Sequence, residues 1–135
     1  QLDTGMNRLG VELLEWQAVA PILVDAGPEL LMSHLACADE PSHPLNARQR
    51  AAFAAVREKL PGVAASLANS SGIFLGDGFT HDLVRPGIAI YGGNPTPDVA
   101  NPMHAVAILE GAVMQLRDVA AGDTVGYSAT WTAAR

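Results

Sequence analysis

The stretch Glu29-Leu30-Leu31-Met32-Ser33-His34-Leu35-Ala36 decides how the rest of the chain is read. Its near-continuous apolar run predicts a parallel strand buried on both faces. After it comes a polar loop with Pro41 and Pro44, and then Leu45, Gln49, Ala52, Phe53, Val56 and Leu60 recur at helical spacing. Arg48, Arg57, Glu58 and Lys59 fall off that stripe, so a helix is expected from Leu45 to Leu60, stopped by Pro61-Gly62. Val63 to Ala68 is expected as the next strand, Asn69-Ser70-Ser71-Gly72 as a helix start, and Ile88 to Tyr91 as a further short strand entered through Arg85-Pro86-Gly87. Before the opening stretch, Gln1-Leu2 is expected to end a strand and Asp3-Thr4-Gly5 to form a turn. Val11, Leu14 and Ala18 share one face of an expected helix from Val11 to Ala18. Pro21 is expected to open a second short helical turn, closed by Gly27-Pro28.

Strands and helices alternating in this way imply an α/β chain with a parallel sheet and right-handed crossovers. The pattern changes at Gly92 to Pro102, a linker with three prolines. His104 to Leu116 and Thr124 to Thr132 then read as antiparallel strands joined by a Gly122-Asp123 turn. Two regions are therefore expected, residues 1–102 with parallel strands and 103–135 opening an all-β domain.

With 49% hydrophobic and 16% charged residues among 135, the chain can bury a core and is not of disordered composition. Eight scattered Lys and Arg against fourteen Asp and Glu exclude the clustered basic face of a nucleic-acid binder. No apolar run reaches the roughly 18 to 20 residues that span a membrane. The single cysteine, Cys37, can form no intrachain disulfide, which fits a reducing compartment and makes the cytoplasm the expected location. The chain opens on Gln1 and stops at Arg135 beside strand-like runs, and the expectation is a piece of a longer protein.

Ligands in α/β proteins gather at the carboxyl ends of parallel strands. Four segments put polar groups there: Thr4 to Arg8, Ser33-His34, Asn69 to Ser71, and Arg85 to Gly87. Two readings of Asn69-Ser70-Ser71-Gly72 stay open. One is a simple helix cap; the other is an anion cradle shared with the Gly87 and Ile88 amides near Arg85. His34 reads either as a hydrogen-bonded structural residue or as a ring-stacking or proton-carrying group. Arg8, after a glycine-bearing turn, reads as a surface ion pair or as a clamp on a carboxylate or phenolate. Tyr127 reads as core or as an acid/base group. His34, Cys37, Asp39 and His43 have a superficial metal-ligand spacing, but one thiolate in a proline-containing loop argues for no metal.

Five segments in order resemble alanine racemases. They are Asp3-Thr-Gly-Met-Asn-Arg-Leu-Gly10, Met32-Ser-His-Leu-Ala-Cys-Ala-Asp-Glu40, Asn69-Ser-Ser-Gly72, Arg85-Pro-Gly-Ile-Ala-Ile-Tyr-Gly92 and Val125-Gly-Tyr-Ser-Ala-Thr-Trp131. The resemblance implies the later part of a (β/α)8 barrel followed by the first strands of a C-terminal β domain. It also implies pyridoxal 5'-phosphate as cofactor, alanine as substrate, a head-to-tail homodimer and a place in D-alanine supply for the bacterial cell wall. By the same resemblance Asn69, Ser70, Gly87, Ile88 and Tyr91 belong to the phosphate site, His34 packs beside the pyridine ring and Arg85 faces the ring nitrogen. Arg8 meets the substrate carboxylate, and Tyr127 is an acid/base group supplied across the dimer.

The family's cofactor-holding lysine has no counterpart here, because the only lysine, Lys59, lies on the outer face of an expected helix. Where many relatives carry a carbamylated lysine this chain has Gln1, whose amide could bond Arg8 but brings no charge. The expectation is that the segment alone is an inactive part of an isomerase. The rival readings are a non-catalytic pyridoxal-phosphate carrier barrel, a racemase of another amino acid, and an independent interaction module. The strands expected after Pro102, with Tyr127, weigh against the carrier.

Overall fold

A computed structural model describes residues 1–135. Three two-stranded sheets and three α-helices make up its regular structure. Strand β1 (Leu2–Asp3) pairs in parallel with β2 (Val11–Glu12), with Leu2 opposite Val11. This corrects the helix expected from Val11. The reason lies one residue earlier, at Gly10: with φ at +128°, a Cβ there would sit 2.9 Å from Asp3 N, Gln1 O and Leu2 C. Only a glycine lets the chain return so close to β1. Helix α1 (Trp16–Asp25) starts later than expected and runs through Pro21 rather than restarting at it. Proline lacks the N–H that the Gln17 carbonyl would take, but Gln17 is exposed and water can serve it.

Strand β3 (Leu30–Met32) lies within the stretch expected to be a strand and pairs in parallel with β4 (Ala64–Ser66) in the register Leu30–Ala64, Leu31–Ala65, Met32–Ser66. Between them α2 (Pro44–Arg57) crosses back. His43 caps it by accepting the Leu45 amide on Nδ1 at 3.2 Å, and Pro44, with no N–H to lose, fills the first turn. The buried face of α2 is Asn46, Gln49, Phe53 and Val56. Phe53 and Val56 join Leu2, Trp16, Leu31, Leu35, Leu60, Leu67 and Phe79 in a single apolar core. Helix α3 (Ser70–Ile73) is one short turn capped by Asn69.

The segment Asp82 to Arg85 then runs alongside β4: the Asp82 and Leu83 amides donate to Ala65 O, the Arg85 amide donates to Ala68 O at 3.0 Å, and Asn69 and Arg85 form a parallel bridge. Ile88–Tyr91 is a 3-10 turn rather than the strand expected. Its apolar run fitted either state, but Gly92 in the left-handed region closes it, and only Ala89 of the four is buried.

In the C-terminal region His104 to Leu116 is irregular, which corrects the strand expected there; it has no strand to pair with in this chain. Thr124 to Thr132 is not one strand but two: β5 (Thr124–Val125) folds back antiparallel on β6 (Trp131–Thr132) through a 3-10 turn at Tyr127–Ala129. No helix is long and apolar enough to cross a membrane.

Candidate cofactor and substrate site

Arg85 is the hub. It enters at the end of β4, with partial burial that lowers the pKa of its guanidinium. Nη1 donates to the buried Ser66 hydroxyl, and Nη2 donates to Ser33 O at 2.6 Å and to Leu67 O at 3.4 Å. Nη2 also lies 3.5 Å from His34 Nδ1. Burial lowers the His34 pKa, and the positive charges of Arg85 and Arg8 push it the same way. The imidazole is therefore neutral near pH 7.

Arg8 stands on a turn organised by one carboxylate. Asp3 Oδ1 accepts the amides of Gly5 at 2.8 Å, Met6 at 3.0 Å and Asn7 at 3.1 Å, and Oδ2 accepts the Arg8 amide at 3.1 Å. These bonds, Gly5's above all, hold the Asp3 carboxyl below the usual range although partial burial raises it. The Gln1 amide donates to Leu9 O at 2.8 Å, so it pins the far end of this loop and makes no bond to Arg8.

Asn69 Oδ1 accepts the Gly72 amide at 2.9 Å, so the cap is present. The Gly87 amide expected in an anion cradle is instead spent on a side chain of the neighbouring loop. Buried Ser70 Oγ accepts from the Gly87 amide at 2.8 Å and the Ala89 amide at 3.3 Å. With two amides on its oxygen, the Ser70 hydroxyl proton is left to point elsewhere. A Cβ on Gly87 would meet nothing closer than Ser70 Oγ at 4.0 Å, so space lies beside this turn. Ile88 opens the 3-10 turn, where amides lack a partner within the turn. Tyr91 is 73% exposed at the end of the same turn. Gly92, with φ at +81°, carries the following chain directly on its backbone: a Cβ there would fall 2.5 Å from His104 O and 2.9 Å from Ala105 Cα. The Asn101 side chain secures this crossing by donating to Gly92 O at 3.0 Å.

The fold thus gathers Arg85 and His34 by direct contact and sets Ser70 against Gly87, with the charge of Arg8 acting on His34. It does not bring Tyr127 to them: that side chain is 99% exposed on the turn between β5 and β6. No cluster of three or more His, Cys, Asp or Glu side chains is placed to hold a metal ion, and His43 caps α2 instead.

Sequence reasoning missed the polar groups beneath the site. Gln49 is fully buried; its Oε1 accepts the Ala36 amide at 2.9 Å, and Nε2 donates to His34 O at 2.9 Å and Thr4 Oγ1 at 3.1 Å. Thr4 Oγ1 also bonds Ser33 Oγ at 2.8 Å. A glutamine on the buried stripe of an amphipathic helix was the available signal, since such a group must find partners.

Residues 1–95 match the family described as alanine racemase, N-terminal domain. This chain belongs to the alanine racemase family. It is 55% identical to an alanine racemase of Methylobacterium nodulans over 134 residues, which is 98% of this chain and 36% of that protein. An alanine racemase of Rhodospirillum rubrum is likewise 55% identical, over 98% of this chain and 36% of its own length. Among solved structures, the alanine racemase of Bartonella henselae with covalently bound pyridoxal phosphate superimposes with a TM-score of 0.77 at 43% identity, covering 98% of this chain and 38% of that one. The Acinetobacter baumannii alanine racemase gives 0.83 at 35% identity, covering 99% and 38%. The chain therefore spans a little over a third of the length of the curated relatives it matches, with short parallel strands, helices and a C-terminal antiparallel pair.

Proposed function

We propose that this chain is the cofactor-gripping segment of a pyridoxal-phosphate-dependent alanine racemase, an isomerase that interconverts L- and D-alanine by moving the α-proton between two opposed acid/base groups. The observation that carries the reading is the Arg85–His34 contact at 3.5 Å, with Ser70 and the Gly87 amide 2.8 Å apart on the adjoining loops. In this reading residues 1–102 are the later part of a (β/α)8 barrel and 103–135 the start of a β domain.

The donor set fits the cofactor. The Ser70 hydroxyl and the Ile88 amide would hold the phosphate, with Asn69 fixing the helix start, Gly87 leaving room and Tyr91 at the rim. Arg85 Nε–H and its second Nη1 hydrogen stay available toward the pyridine nitrogen. When bound, pyridoxal phosphate supplies the electron sink that makes the α-proton of an amino acid acidic. An arginine donor never gives up its proton, so it keeps that ring nitrogen unprotonated and restrains the sink. His34 packs against the ring as a neutral imidazole, and Arg8 holds the substrate carboxylate.

Tyr127 Oη holds and delivers the proton on one face. Its exposure fits a residue offered across a homodimer. The opposite face needs a lysine that the segment lacks, Lys59 being exposed beyond the end of α2. The segment by itself therefore racemises nothing, and the whole enzyme works in the cytoplasm.

Purified whole enzyme containing this segment must convert L-alanine to D-alanine, and borohydride must abolish that activity while fixing the cofactor to a lysine outside residues 1–135. A cofactor-free protein, or one that leaves alanine unchanged, overturns the reading. D-alanine formed by the 135-residue chain with added cofactor overturns the assignment of inactivity.

A further inference from the structure

We infer that Gln49 is a positioning residue that sets the distance between the Arg8 turn and His34, and so the width of the mouth between them. Use of that mouth by a racemase rests on the function proposed above; the geometric claim does not.

The two halves of the mouth belong to different sheets. Arg8 follows β1, which pairs only with β2; His34 follows β3, which pairs only with β4. No backbone hydrogen bond joins β1 to β3. Their carboxyl ends are tied instead by side chains. Gln49 Nε2 spans the seam, donating one hydrogen to Thr4 Oγ1 and the other to His34 O, while Oε1 holds the Ala36 amide. Thr4 Oγ1 extends the tie to Ser33 Oγ. The peptide around His34 is thus gripped on consecutive carbonyls, Ser33 O by Arg85 and His34 O by Gln49.

Only an amide side chain of this length offers two donors and an acceptor from one group. Glutamate would keep the Ala36 bond and lose both donors; methionine would fill the space and lose all three bonds. At 0% exposure the glutamine has no water to fall back on, so these bonds are its whole solvation.

The test reads the coupling between Arg8 and His34 by NMR titration of the 135-residue chain, without cofactor. The charges facing His34 are Arg85 and Arg8, and both lower its pKa. In the unmodified chain, Arg8→Gln is expected to raise the His34 pKa. In Gln49→Met the same change is expected to have no effect, because the turn has drifted from the imidazole, while amide protection across β3–β4 persists. An undiminished Arg8 effect in protected Gln49→Met overturns the inference. If Gln49→Met loses that protection, Thr4 decides. Thr4→Val, which keeps the shape and deletes the hydroxyl, should weaken the Arg8 effect and Thr4→Ser should restore it; equal coupling in the two variants overturns the inference.

Discussion

Arg85 Nη2 donates to the carbonyl of Ser33 at 2.6 Å and stands 3.5 Å from the ring nitrogen of the next residue, His34. One cation therefore fixes the backbone that presents the imidazole and, after burial and together with Arg8, disfavours its charged form. Histidine titration should place His34 below its ordinary value of about 6.5, and Arg85→Gln should move it upward. The folded pKa lies below the unfolded one, so the unfolded chain binds the extra proton as pH falls. Stability from this group is fully present above about pH 6.5 and is lost as pH drops to the lowered folded value. The urea midpoint should fall across that window, and His34→Gln should flatten the fall.

Asp3→Ala should loosen the Arg8 turn, because four amides lose their common acceptor. The site is partly exposed, so the cost is on the order of 1 kcal/mol. Here too the folded pKa is depressed: the contribution exists above the unfolded value near pH 4 and disappears as acid carries the group through its lower folded value. Chemical denaturation at neutral and acid pH should show Asp3→Ala losing its penalty at the acid end.

Gly92→Ala should destabilise by about 1–3 kcal/mol, since it adds both a left-handed non-glycine residue and a collision with the backbone of His104 and Ala105. Thermal unfolding measures it. Gly27→Ala is the control: it shares a positive φ but meets nothing within 4 Å, and its penalty should be smaller.

The long-period features of this fold were legible, the short ones were not. The Phe53–Val56 face of α2 and the paired apolar runs at Leu31 and Ala65 repeat often enough to fix their state. Val11 shares helical spacing with Leu14 and Ala18, yet a backbone contact at Gly10 puts it in β2. Ile88 to Tyr91 is too short for periodicity to separate strand from 3-10 turn. Pairing partners also lie outside any local window, which is why His104 to Leu116 reads as a strand and folds as none. At the site, Arg85, His34 and Ser70 could be picked out from their strand-end positions. Gln49 stood in plain view on the helical stripe, but its three bonds join residues up to 45 positions apart.

The same irregular segment leaves Val106, Ile108, Leu109, Val113, Met114 and Leu116 between 66% and 100% exposed. Apolar surface of that extent seeks cover. Sedimentation of the 135-residue chain should show concentration-dependent self-association, and replacing Ile108, Leu109 and Met114 with Ser should reduce it; a monomer at every concentration contradicts this.

The bonds from Arg85 to Ser66, Ser33 and Leu67 carry a lesson for reading related genomes. A descendant that had abandoned all chemistry would still draw on these bonds, which add to the backbone pairing of those two strand ends. Persistence of the arginine is then testimony to architecture first, and only the company it keeps can vouch for an enzyme.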